Sequence, residues 1–177
     1  GAGTIHDWEF AWLGLSTEKV EDGVAQGNFG TWDETGRYIH LALMTGALQG
    51  LGYGVSLGKF IHEDGCVIPD PEELSRLIPE FMGDPLAGAA CDLLSTVQRF
   101  QIEPGRMQVQ HRWKHASFLA QAYRLGVPVT VHPGIGYDIV SCHPMFHGAA
   151  IGRAAGEDFR LFAGAVDGLD NGVVRSE

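Results

Sequence analysis

The stretch that decides the fold reads Val127-Pro-Val-Thr-Val-His-Pro-Gly-Ile-Gly-Tyr-Asp-Ile-Val-Ser-Cys-His-Pro-Met-Phe-His-Gly148. Its β-branched beginning, from Val127 to Val131, is typical of a buried strand, and it follows an apolar helical run over 118–125. In open α/β sheets, ligands bind beyond the carboxyl ends of strands. The loop from His132 to His147 is therefore the expected location of a functional site.

The composition predicts one acidic domain with a substantial core. The chain has 177 residues, of which 45% are hydrophobic and 19% are charged, and its formal net charge is −10. A chain of this length and apolarity buries enough surface for a single domain over 1–177. The negative charge argues against a nucleic acid or an anionic membrane, since both bind basic surfaces. We expect a small molecule or a protein as partner.

Other absences in the sequence bear on location. No apolar run approaches the roughly 18 residues of a membrane span, and no signal peptide opens the chain. Cys66, Cys91 and Cys142 are far apart and form no CxxC pair, which argues against a disulfide framework and a zinc ribbon. We therefore expect a soluble, cytoplasmic protein whose cysteines are reduced packing residues.

The start of the chain, Gly1-Ala2-Gly3-Thr4-Ile5-His6-Asp7, is a glycine-rich turn ahead of an apolar helical segment. Thr4 or Asp7 is the predicted cap of that helix. Backbone N–H groups in such a turn approach a phosphate or another anion, although the third glycine of GxGxxG is missing. The alternative is an ordinary capped terminus. A phosphate-binding turn normally follows a strand, so the chain is expected to enter partway through an α/β unit.

Start signals predict further helices, and helix outweighs strand. Glycines between 46 and 58 imply close packing or a break in and after the helical segment that begins at residue 31. Val173-Val174 resembles the beginning of another strand. The predicted helices begin at 16–19, run over 31–51, follow Pro71 and Pro85, and run over 156–166.

Read in order, three segments resemble the deoxyhypusine synthase family, especially its uncharacterised bacterial relatives. They are GAGTIHDWE at the start, AQAYRLGVPVTVHPGIGYDI in the middle and EDFRLFAGAV near the end. The resemblance covers roughly half of the chain. It implies an α/β, Rossmann-like architecture with more helix than strand, whose sheet is incomplete in this chain.

The resemblance also implies a site for NAD. In that family a glycine-bearing loop contacts NAD, and a later strand brings acids to the cofactor and the polyamine. Asp7 falls where the family has a glutamate, and the resemblance implies that it contacts a ribose or an amine. His6 takes the place of a second glutamate, which removes a polyamine contact. The implied cofactor contacts are Ala2, Gly3, Thr4, Asp7, Gly134, Gly136 and Asp138.

The lysines depart from the family pattern. The family forms an imine on a lysine in a tryptophan-glycine-lysine context, whereas Lys19, Lys59 and Lys114 have other neighbours. We therefore expect NAD or nucleotide binding without full aminobutyl transfer. His132 or His143 is the acid/base candidate. The chain is expected to be either partial, with the lysine motif beyond Glu177, or a shortened relative.

Two other functions remain open. His132, Cys142, His143 and His147 supply enough ligands for zinc or a related ion, so a metal-dependent enzyme is one alternative. A non-catalytic oligomerisation or binding module is the other. Unpaired sheet edges would be covered by association. We expect a homo-oligomer that buries one face of 38–57, where glycines permit close approach of a partner.

Overall fold

A computed structural model describes residues 1–17, 19–27, 32–170 and 172 of the chain. Two short strands, β1 (Gly65–Ile68) and β2 (Gly105–Gln108), pair antiparallel with Gly65 opposite Gln108. The protein is a mostly helical α/β structure, which confirms the prediction of more helix than strand. The helices are α1 (Ala2–Leu13), α2 (Val20–Gln26), α3 (Asp33–Ala47), α4 (Tyr53–His62), α5 (Pro71–Glu80), α6 (Pro85–Phe100), α7 (Phe118–Leu125), a 3-10 turn (Ile139–Cys142) and α8 (Gly148–Asp167).

The strand predicted from Val127 to Val131 does not form, and this prediction was wrong. The Val131 N–H donates to the Asp158 carboxylate on α8 at 2.6 Å, and the Val129 carbonyl lies directly against Gly54 of α4. Helices therefore take the place that a neighbouring strand would occupy. Within the described residues the sheet is the β1–β2 pair alone. The strand expected at 173–174 lies outside those residues.

Helix α3 is the centre of the core. Asp33 and Glu34 occupy its first turn, where carboxylates favour the positive end of the helix dipole. Every residue from Ile39 to Ala47 is buried. A helical stretch that is buried on all sides must be surrounded by other elements, and α3 contacts α1, α4, α6, α8 and β1.

Glycines at 46 and 58 bring helices together within this one chain, and Gly54 admits the backbone of the extended segment at Val129. A Cβ on Gly46 would lie 2.0 Å from the Ser56 hydroxyl, and one on Gly58 would lie 2.5 Å from the Leu119 carbonyl. The close packing predicted for these glycines therefore occurs inside the core. The expected oligomer face over 38–57 is wrong, because it is already covered by the chain's own helices.

Three helix starts follow the capping rules that the sequence indicates. Asp70 accepts from the Glu72 N–H at 2.8 Å, Asp84 accepts from the Leu86 N–H at 2.8 Å, and Ser117 accepts from the Ala120 N–H at 3.0 Å. Such caps satisfy N–H groups that have no partner within the helix. Prolines in the first turns of α5 and α6 fit the same pattern.

The predicted cap of α1 was wrong. The helix already begins at Ala2, with Gly1 as its N-cap. The Thr4 hydroxyl donates to the Gly1 carbonyl at 2.6 Å, so Thr4 closes the first turn instead of preceding it. Asp7 lies a turn further along. The reason is that the glycines of this turn adopt helical backbone here, so the apolar run begins earlier than its side chains indicate.

Buried His111 packs between aromatic rings beneath α1. Its ring meets Trp8 at 5.4 Å and Phe60 at 5.8 Å, both edge to face. Burial lowers the pKa of His111 to about 4, although the Asp64 carboxylate opposes this effect. The imidazole is therefore neutral in the folded protein at neutral pH.

This neutrality predicts a pH dependence of stability. The unfolded chain takes up a proton on His111 near pH 6.5 and the folded chain near 4, so folding stability falls as the pH drops through this window. His111→Phe keeps the ring packing, and we expect it to remove up to about 1.4 kcal/mol per pH unit of the slope. Urea unfolding across the window measures this. Identical slopes in both proteins would contradict the assignment.

Candidate functional site

A cavity of about 1040 Å³ opens between α1, α2, α3 and the segment from Tyr137 to Pro144. Ala2, Asp138, Cys142 and His143 line it, so four residues that sequence reasoning singled out meet in one place. Ala2 lies at the start of α1, whereas the other three residues follow α7. Most of the core helices lie between them in the sequence. The cavity is a concave surface on which polar groups from several elements converge, which makes it the candidate site.

Asp138 joins the start of α1 to the loop after Val131. Its side chain is buried, and its Oδ2 accepts from the Gly134 N–H at 2.6 Å. Its Oδ1 lies 3.7 Å from the amino group of Gly1. A Cβ at Gly1 would lie 2.4 Å from the carboxyl group, so only glycine permits this approach. Asp138 is therefore fixed beside the first turn of α1.

The other predicted cofactor contacts lie around this junction. Gly3 is exposed, and a Cβ on it would meet open space, but Gly3, Thr4, Gly134 and Gly136 lie outside the cavity lining. Gly134 lies against the Tyr137 ring, so a Cβ there would overlap the ring. Gly136 has φ +100°, a conformation that favours glycine. These two glycines shape the turn that presents Asp138.

Asp7 has a different position from the one that the resemblance implies. Its Oδ2 accepts from the Ser117 hydroxyl at 2.6 Å and the Leu119 N–H at 3.2 Å, and its Oδ1 accepts from the Phe118 N–H at 3.0 Å. Both oxygens therefore satisfy the N-terminus of α7. Asp7 lies outside the cavity lining, and we correct its expected role from cofactor contact to tertiary helix cap.

His143 lines the cavity, but both of its ring nitrogens are engaged. Nε2 lies 3.2 Å from Asp33 Oδ1, and Nδ1 accepts from the Met145 N–H at 3.0 Å. Gly36 lets the ring lie against α3, since a Cβ there would lie 2.5 Å from it. Because Nδ1 is an acceptor, Nε2 carries the proton toward Asp33. His143 therefore connects α3 to the loop, and it lacks the lone pair that a general base requires.

Acidic and neutral groups lie side by side behind this loop. Burial acts against ionisation of Asp33, but hydrogen bonds from Arg37 and His143 outweigh it and lower the pKa of the carboxyl. His40, beneath His143, is 1% exposed, and its Nε2 lies 3.1 Å from the Val140 carbonyl. Burial lowers the pKa of His40 to about 4. The cavity wall is thus anionic at neutral pH, with a neutral histidine under it.

Glu9 is the residue of the site that sequence reasoning missed. Its side chain is 3% exposed, yet it lines the cavity. It accepts from the Thr17 N–H at 3.1 Å, the Thr17 hydroxyl and the Ser16 hydroxyl at 3.3 Å. His6 Nδ1 lies 3.6 Å from it. The available signal in the sequence was an acid within the apolar run of α1, followed after the helix by two hydroxyl residues, Ser16 and Thr17.

His132 and His147 lie apart from the cavity lining. His132 is exposed, contacts the Thr130 hydroxyl at 3.2 Å and meets the Phe162 ring at 5.6 Å. His147 Nε2 lies 3.7 Å from Asp92. Of the two alternative acid/base candidates, His132 and His143, only His143 lines the cavity.

The metal alternative needs several ligands at one point. His132, Cys142, His143 and His147 have different neighbours, and nowhere in the described part of the chain do three His, Cys, Asp or Glu side chains form a group able to hold an ion. The sequence brings these residues close only along the chain. In the folded chain, His143 contacts α3, His147 lies beside α6 and His132 meets α8. The geometry does not support the metal-dependent enzyme.

Comparisons of this chain with known proteins found no match. This holds for family models, for curated proteins and for solved structures. Within the described residues, every helix is too short or too polar to cross a membrane.

Proposed function

We propose that this chain is a deoxyhypusine synthase-like protein that binds NAD or a related nucleotide in the cavity beside α1. One observation carries the proposal: Ala2 and Asp138, from distant parts of the sequence, line the same cavity wall. The resemblance assigns these same two positions to the cofactor. Their proximity follows from packing and does not depend on the resemblance.

The cavity has the size and the polar groups for such a ligand. Its volume of about 1040 Å³ is at the upper end of ligand sites, which span roughly 300–1,000 Å³. The first N–H group of α1, at Ala2 in the cavity lining, has no partner within the helix and suits a phosphate. Asp138 accepts hydrogen bonds and suits ribose hydroxyls.

The charge of the cavity favours one form of the cofactor. Glu9, Asp22, Asp33 and Asp138 line it against a single lysine, Lys19. These carboxylates oppose phosphate and attract a cation, so they favour the positively charged ring of oxidised NAD over the neutral ring of NADH. When bound, NAD supplies a hydride acceptor. The role proposed for this chain's own residues is to bind and orient the ligand.

Aminobutyl transfer is not part of the proposal. Lys114 Nζ lies 2.6 Å from Asp64, and Lys59 binds the Gln49 side chain, so both are engaged away from the large cavity. Lys19 lies at the cavity and is proposed to contact phosphate. His132 and His143 are not proposed as acid and base, for the geometric reasons given above.

The wider setting of the site is also a proposal. The segment from Val127 to Val131 forms no strand, so the Rossmann-like arrangement implied by the resemblance is not part of the proposal. A homo-oligomer would have an apolar surface available on α8, where Phe159 is 63% and Phe162 is 43% exposed. A cytoplasmic location is consistent with three free cysteines.

Calorimetric titration with NAD and NADH tests the proposal. We expect oxidised NAD to bind more tightly, and Asp138→Asn to weaken binding by about tenfold, because a charged acceptor forms the stronger hydrogen bond. Asp84→Asn is the matched control, since Asp84 caps α6 outside the cavity and asparagine caps equally well. No binding heat at millimolar NAD, or equal affinities in all three proteins, would contradict the proposal.

A further inference from the structure

Helix α2 borders the cavity without joining the core. Asp22, Gly23 and Gln26 line the cavity. None of the residues of α2 is buried, and Val20 and Val24 are 51% and 64% exposed. A helix of seven residues is not stable by itself in water. Contacts at its ends must therefore hold it over the cavity.

The buried Glu9 carboxylate provides such contacts on the N-terminal side. Oε2 accepts from the Thr17 N–H at 3.1 Å and from the Ser16 hydroxyl at 3.3 Å, and Oε1 accepts from the Thr17 hydroxyl. Oε1 also lies 3.5 Å from the Thr35 hydroxyl on α3. Hydrogen bonds to an ionised acceptor are the strong ones. Glu9 thus connects the segment before α2 to the body of the protein.

The segment from Leu15 to Gln26, which includes α2, has a glycine in left-handed backbone at each end. Gly14, after α1, has φ +75°, and Gly27, after α2, has φ +70°. Gly14 also lies against the Trp113 ring, since a Cβ on Gly14 would lie 2.9 Å from that ring. Glycine adopts left- and right-handed backbone with similar ease, so these positions absorb a change of direction at small cost.

We propose that α2 is a hinged cover of the cavity, and that the Glu9 carboxylate holds it closed through Ser16 and Thr17. The identity of the ligand under the cover depends on the proposed function, whereas the hinge and its contact do not. A ligand in the cavity touches both the wall at Glu9 and the inner face of α2. Binding therefore favours the closed form, and opening breaks the Glu9 contacts.

Cleavage by a lysine-specific protease measures opening directly. The chain has three lysines, and Lys19 immediately precedes α2, whereas Lys59 lies within α4 and Lys114 is bound to Asp64. We expect Glu9→Gln to accelerate cleavage after Lys19 by about tenfold, because the cover then opens more often. Millimolar NAD is expected to slow the same cleavage in the wild-type protein. Intact mass identifies the fragments 1–19 and 20–177.

Other variants keep the result interpretable. Thr17→Val removes one donor to Glu9 and keeps the Glu9 carboxylate in place, so it should accelerate cleavage even if Glu9→Gln fails to fold. Glu34→Gln, an exposed acid on α3, is the matched control and should leave the rate unchanged. Unchanged rates in both Glu9→Gln and Thr17→Val would overturn the cover. NAD binding by calorimetry without slower cleavage would also overturn it. Accelerated cleavage without NAD binding would support the cover and overturn the proposed function alone.

Discussion

Replacing Asp158 with alanine is expected to destabilise the protein by about 2–6 kcal/mol, because it leaves two buried N–H groups without an acceptor at about 1–3 kcal/mol each. Asp158 on α8 is fully buried. Its Oδ2 accepts from the Gly54 N–H at 2.9 Å and the Val131 N–H at 2.6 Å. Alanine would leave both N–H groups buried without a partner, and it would separate α8 from α4 and from the extended segment. Urea unfolding measures the loss.

Asp158→Asn is the matched control because it keeps one acceptor oxygen and removes the charge. Burial raises the pKa of Asp158, although the N–H groups of Gly54 and Val131 and the charge of His132 act in the opposite direction. A folded pKa above 3.8 means that the ionisation costs stability once the pH rises through the folded value. The asparagine variant avoids this cost, so we expect a much smaller loss than with alanine. Equal stability of the alanine variant and the wild type would contradict the account.

Asp7→Ala is expected to cost about 2–4 kcal/mol, since it removes a helix cap together with a buried hydrogen bond. Asp7 accepts from Ser117, Phe118 and Leu119, and so connects α1 to the start of α7. The same variant should bind NAD with unchanged affinity at temperatures where it remains folded. Thermal unfolding and calorimetry together make the measurement.

The opposite result for Asp7 would restore the role that the family resemblance implies. A variant that keeps its melting temperature but loses NAD affinity would mean that Asp7 contacts the ligand. Asp7→Asn separates charge from hydrogen bonding, because its amide oxygen still accepts from one N–H group. We expect it to fall between the wild type and the alanine variant in stability.

Local sequence signals predicted the helices and failed for the sheet. Asp70, Asp84 and Ser117 act on N–H groups two or three residues away, so their caps can be read from the sequence. Whether Val127 to Val131 pairs as a strand depends on what lies beside it. Gly54 and Asp158 bind that backbone from distant helices, and β-branched composition alone does not reveal them.

The candidate site was predictable in the same uneven way. Asp138 was named through the family resemblance, and it follows Gly134 and Gly136 in a loop that the sequence marks locally. Asp7 was misread because its donors are Ser117 and the residues after it, which are more than a hundred positions away. Glu9 was missed for a related reason, since its burial depends on Thr35 and on the path of the chain after α1.

Alkylation of Cys142 tests most directly whether the cavity binds NAD. Cys142 is exposed and lines the cavity, Cys91 is exposed on α6, and buried Cys66 has a pKa raised by burial to about 11, which makes it unreactive. Maleimide labelling followed by mass spectrometry therefore reports on two thiols separately. We predict that millimolar NAD slows labelling of Cys142 by about fivefold or more and leaves Cys91 unchanged. Equal labelling of Cys142 with and without NAD would contradict the proposed site.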